Sequence, residues 1–216
     1  MTLLTLPLAL LAMQQGIAGR LAGRVSPEVA TLVVELGTAA SARGLPVDPL
    51  IQKAIEGGAK GVPSERVAAA VRLVAMQLDT AAEALRQGGL ASDTVVIAAG
   101  QFDLTAGIGA HDITNLVLRG GGQAEVTARL RIAGTLAAMG VPPAEVVSLV
   151  IATVRSGRSI ADLLALPSLV QAEMARGVTP AQAASGLARA AAAQARHGPP
   201  PGRGQPPPHA PAPPHP

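Results

Sequence analysis

The chain has 216 residues, a formal charge of +3 from 17 basic and 14 acidic side chains, no Cys, Trp or Tyr, and Phe102 as its one aromatic residue. Without cysteine there is no disulfide, thiolate nucleophile, Cys-ligated zinc or iron–sulfur cluster. The positive charge is almost wholly Arg, with only Lys53 and Lys60 as lysines. Arg alternates with Asp and Glu along the body, so neither the clustered basic stripe nor the aromatic stacking platform of a nucleic-acid binder is present.

In chain order, Leu3–Met13 (LLTLPLALLAM) is the first feature. It is apolar and uncharged, and shorter than the roughly 20 residues a bilayer-spanning helix needs. Its length suits the hydrophobic part of a secretory signal, and Gly16-Ile17-Ala18 offers a small-x-small cleavage site. The expectation is a signal peptide over 1–18, a mature chain from Gly19, and a short linker over 19–26. Against this, Met1-Thr2 carries no basic side chain. The other reading is a first core helix, which Pro7 argues against.

The body from 27 to 196 repeats one phrase: Gly, an apolar residue, then Pro or a small residue before an amphipathic run. It occurs at Gly44-Leu45-Pro46, Gly61-Val62-Pro63, Gly140-Val141-Pro142 and Gly177-Val178-Thr179-Pro180, with weaker copies at Gly89-Leu90 and Gly107-Ile108. Gly ends a helix in the left-handed conformation, the apolar residue folds back, and Pro starts the next helix, where its missing N–H costs nothing. The phrases place helices near 27–42, 47–58, 64–87, 93–100, 110–119, 123–139, 143–156, 160–175 and 180–195. Ser159 with Asp162 reads as an N-terminal cap.

The segment 64–87 shows the clearest period, with Val67, Val71, Val74, Leu78, Ala81, Ala82 and Leu85 on one face. The run 143–156 is apolar nearly all round and reads as central. No stretch alternates with a period of two. The fold class is therefore all-α: an irregular bundle or short superhelical stack of eight to nine short helices. Gly120-Gly121-Gly122 separates possible halves, 27–119 and 123–196, of one domain. An Ala-rich core buries little area per residue, which predicts modest stability.

The phrases GLPVDPLIQKAIEGGAKGVPSERVAAAVR and GVPPAEVVSLVIATVRSGRSIADLLALPSLV resemble segments of a group of exported helical proteins of GC-rich bacteria. The resemblance covers about residues 25–195. It implies a helical domain behind a signal peptide with a Pro/Gly-rich end, and brings no activity, ligand or catalytic residue.

Lys53, Glu56 and Lys60 stand three and four residues apart, so on a helix they share a face and can pair. One reading is a small docking surface that presents two lysines to an anionic group of a partner. The other is solvated charge at a helix C-terminus, where Lys complements the macrodipole. His111-Asp112 is the one His–carboxylate neighbour pair of the body, but adjacent helical residues point about 100° apart and form no dyad alone. No serine sits in a nucleophile-elbow pattern, and no zinc-protease or dinucleotide motif occurs.

From 197 to 216 the chain is Pro-rich, with His209 and His215, and reads as a disordered extended spacer rather than a metal site. Together these features favour an exported, non-enzymatic interaction or structural protein of the envelope. It would need no cofactor, and would bind an envelope protein or itself, with no nucleic acid and no transmembrane anchor. If 1–18 is not a signal, the location is cytoplasmic. The second functional reading is an enzyme whose site is assembled from dispersed polar residues.

Overall fold

The computed structural model describes residues 5–91 and 93–197. Among them the chain is all-helical, in eleven segments. These are α1 (Thr5–Leu21), α2 (Pro27–Ala42), α3 (Asp48–Ala59), α4 (Ser64–Gln87), α5 (Thr94–Thr105), α6 (Ala110–Val117), α7 (Gln123–Ala138), α8 (Pro143–Arg155), α9 (Ile160–Leu164), α10 (Leu166–Ala175) and α11 (Pro180–His197). The proline-rich segment from 198, with His209 and His215, lies outside the described residues, as do Met1–Leu4.

The segment count exceeds the eight to nine expected, for two reasons. First, α1 crosses the expected cleavage point without a break and ends at Leu21, inside the span read as a linker. Ile17 (4 % exposed) and Leu21 (0 %) pack into the core. Second, the single helix expected over 160–175 divides at Ala165. Pro167 explains the division, since it has no N–H to continue the ladder through Leu163. One boundary also moves: α5 runs on to Thr105, past Gly100. Gly100 ends nothing and instead lets α5 approach α4, because a Cβ there would come within 3.2 Å of the Ala81 Cβ.

Corners are built by hydrogen bonds that close the last turn. At Gly44 (φ 72°) the Gly44 N–H donates to the Ser41 carbonyl and the Leu45 N–H to the Ala40 carbonyl, both at 2.9 Å. The second bond swings Leu45 into the core, where it is buried. Only glycine takes this left-handed conformation cheaply.

The core is one continuous cluster from Ile17 to Ala188, mostly Leu, Val, Ile and Ala. α4 buries Val67, Val71, Val74, Leu78, Ala81, Ala84 and Leu85 along one stripe. Each such Val or Leu stabilises the fold by about 1.5–3 kcal/mol relative to exposure. α5 lies between α4 and α7, and α5 against α7 is one of the most extensive contacts of the molecule. That contact joins segments on either side of Gly120–Gly122. α8 is less enclosed than its composition suggests: Val146, Leu149, Val150 and Thr153 are buried, whereas Ser148 and Arg155 face outward.

Candidate functional site

The three residues singled out in sequence do meet. Lys53 and Glu56 project from α3, and Lys60 caps its end. The Glu56 carboxylate accepts from Lys53 Nζ at 3.1 Å and from Lys60 Nζ at 2.5 Å. Lys60, and then Lys53, hold the Glu56 carboxyl below its ordinary value. All three side chains are solvent-accessible, so the pairs contribute little to stability. Both ammonium groups are engaged with one carboxylate, which leaves the cluster with one net positive charge.

The cluster stands between two open clefts. On one side Gln52, Ile55 and Glu56 of α3 face Gly19, Arg20 and Arg24. Arg20 reaches across this region to pair with Asp48 at 2.5 Å. On the other side Lys53 and Glu56 face Val74, Gln101, Phe102 and Thr105. There Gln101 Nε2 donates to Gln77 Oε1 at 3.0 Å and to the Thr105 hydroxyl at 2.7 Å, tying α5 to α4. α3 approaches the α1–α2 corner closely, because a Cβ on Gly58 would collide with the Arg24 carbonyl oxygen.

His111 is exposed on the first turn of α6. Ser64 donates to the Ser26 hydroxyl at 3.0 Å, and Ser156 to the Thr153 carbonyl at 2.8 Å, both local structural roles. Among the described residues no group of three or more His, Asp or Glu gathers as metal ligands. No described helix is long and apolar enough to cross a membrane.

Two buried ionisable residues escaped the sequence reading. Asp103 of α5 is 0 % exposed, and neither carboxyl oxygen has a hydrogen-bond partner among the described residues. Burial pushes its pKa up to about 8. The nearby Gly134 backbone amide favours the charged form but does not reach hydrogen-bonding geometry. Asp103 therefore carries its proton at neutral pH. Arg129 of α7 is 3 % exposed. Its guanidinium donates to the Leu116 carbonyl at 2.5 Å and the Gly120 carbonyl at 2.8 Å, closing the open end of α6. Burial lowers its pKa, and the Glu125 carboxylate opposes that. Composition holds one faint signal for the first: Asp103 is the lone acid in an otherwise apolar or neutral helix, TVVIAAGQFDLT. Arg129 has no such signal, because Arg131 two positions on is exposed.

A third cleft lies between α8 and α11. The two helices run parallel: the Ser185 hydroxyl donates to Glu145 Oε2 at 2.7 Å, and further along Arg158 donates to Gln194. The open groove between them holds about 630 Å³, lined by small apolar side chains, of which Ala188 is buried, and by Arg155, Arg189 and Arg196.

No known protein family, curated protein or solved structure matches this chain. The functional reading therefore rests on the sequence features and the geometry above.

Proposed function

We propose that the chain is a non-enzymatic, exported interaction protein of the bacterial envelope, an irregular helical bundle that docks another protein on its surface. Where the charge sits carries this reading. The clefts beside Arg20 and Arg24, beside Lys53, and between α8 and α11 are all open, and all are rimmed by charged side chains. The one strongly perturbed acid among the described residues, Asp103, is the kind of group that can mark a catalytic centre. It is sealed from solvent, and among the described residues neither of its carboxyl oxygens has a hydrogen-bond partner. Large apolar side chains also point outward, with Met76, Leu118 and Leu164 each 60 % exposed. The resemblance to exported helical proteins supports the location, as does the apolar run Leu3–Met13.

The test is capture from the native envelope with the full chain as bait. A specific envelope protein retained in stoichiometric amount is the expected result; turnover of a small molecule by the purified chain, with no partner retained, overturns the reading. Export is tested by N-terminal sequencing of protein from the native host. A chain beginning near Gly19 is expected, and an intact Met1 in the cytosolic fraction overturns that part. If the Lys53–Glu56–Lys60 face is the docking surface, reversing both lysines (Lys53→Glu, Lys60→Glu) abolishes capture while the circular-dichroism spectrum stays helical.

A further inference from the structure

Within that docking function, on which this inference rests, we infer that the α8–α11 groove receives an acidic amphipathic helix of a different protein, bound antiparallel to both walls. The groove is polar at its two ends in opposite senses. Glu145 and Ser185 mark the start of the parallel pair, and Arg155 and Arg196 mark its end. From 145 to 155 at 1.5 Å per residue the walls run about 15 Å, or roughly three helical turns. Ala188 is buried at the base of the groove beside the half-buried Ile151 and Ala152, and Ala192, one turn on, is exposed along it. Small side chains at that spacing let a third helix come close, as ridges pack into grooves.

Charge selects the occupant and its direction. Arg155, Arg189 and Arg196 have no carboxylate within salt-bridge reach among the described residues. A helix running against α8 and α11 brings its N-terminal turn to the Arg155–Arg196 end. Asp and Glu are at home in a first turn, and there they meet the guanidinium groups. A basic last turn then faces Glu145. A second copy of this chain fits worse. Arg189 lies one turn beyond Ser185, close to mid-groove, so a two-fold axis through the groove would set Arg189 against its own copy. A flat lipid surface would touch the exposed side chains and leave the buried Ala188 uncovered.

The probe is an N-acetylated synthetic peptide of about 15 residues, with Asp and Glu in its first two turns, an Ala/Leu stripe, and Lys in its last turn. Amide shifts of the full-length protein are followed on titration. Changes centred on Ile151, Ala152, Ala188 and Ala192 are expected. So is at least tenfold weaker binding by the charge-reversed peptide, by Arg155→Glu/Arg189→Glu, and, as a milder variant, by Arg155→Gln/Arg189→Gln. Shifts centred elsewhere, equal binding of the reversed peptide, or the same shifts produced by phosphatidylglycerol vesicles overturn the proposal. Undiminished capture of an envelope protein by the Arg155→Gln/Arg189→Gln chain overturns the groove as the docking site while leaving the docking function standing.

Discussion

Asp103 is the most consequential single residue, because its proton belongs to the folded state. An unfolded Asp ionises near pH 4, whereas the buried group does so at about 8. Between those values folding takes up a proton, so stability is complete below pH 4 and declines as pH rises through 8. The slope approaches about 1.4 kcal/mol per pH unit for this one group. Asp103→Asn keeps the shape and removes the titration. We expect the Asn variant to be the more stable protein at pH 8, and its urea midpoint to lose the decline between pH 4 and 8. A variant that declines as the parent does would show that Asp103 does not titrate in this window.

Arg129 makes the opposite case, a buried charge held for its geometry. Its fork satisfies the Leu116 and Gly120 carbonyls at the end of α6, where no further helical turn supplies donors. Arg129→Met strands both acceptors at about 1–3 kcal/mol each, partly offset by relief of the buried charge. A net loss of about 2 kcal/mol in chemical denaturation is expected. Lys at this position does not restore it, because a single ammonium cannot reach both carbonyls as a fork does.

Among the elements, the α5–α7 crossing is the tightest junction across the middle of the chain. A Cβ on Gly134 of α7 would collide with the Phe102 ring and come within 2.6 Å of Asp103 Oδ1. Gly134→Ala must push the helices apart or displace the only aromatic ring. We expect a loss of about 1–3 kcal/mol, read as a lower thermal midpoint with helix content unchanged. An unshifted midpoint would mean that the crossing is looser than this geometry. α1 presents a different question. Its Ile17 packs beside Gly37 of α2, and a chain starting at Gly19 keeps Leu21 but loses Ile17. The chain from Gly19 should fold with a lower urea midpoint than the full chain. If instead the two midpoints coincide, Ile17 contributes nothing to the fold.

At the scale of the whole molecule, one core cluster runs from α1 to α11, and the α5–α7 contact joins the segments before and after Gly120–Gly122. One continuous core predicts unfolding in a single cooperative step. Calorimetry should therefore show a single transition, and residues 27–119 expressed alone should lack a sharp one. Removing residues 198–216 should leave the melting temperature where it is. A clear fall would mean that this segment packs on the domain.

The helical class, and the helix limits to within a residue or two over most of the body, were legible from residue order. Helix stops are local events: Gly44, Gly61, Gly140 and Gly177 all adopt positive φ, but of the prolines expected to start the next helix only Pro180 is its first residue, whereas Pro63 and Pro142 stand one position before α4 and α8 and Pro46 two before α3. The pairing of Lys53, Glu56 and Lys60 was legible for the same reason, since three- and four-residue spacing acts within one helix. Which helices touch is not local. The burial of Asp103, the reach of Arg129 to carbonyls 13 and 9 positions away, the entry of Ile17 into the core and the groove between α8 and α11 all depend on segments far apart in the chain. Ala, Leu and Val faces are nearly interchangeable as partners, so the pattern that makes each helix says little about its neighbour. That choice was made by close packing, at the places where a missing Cβ or a forked side chain admits only one arrangement.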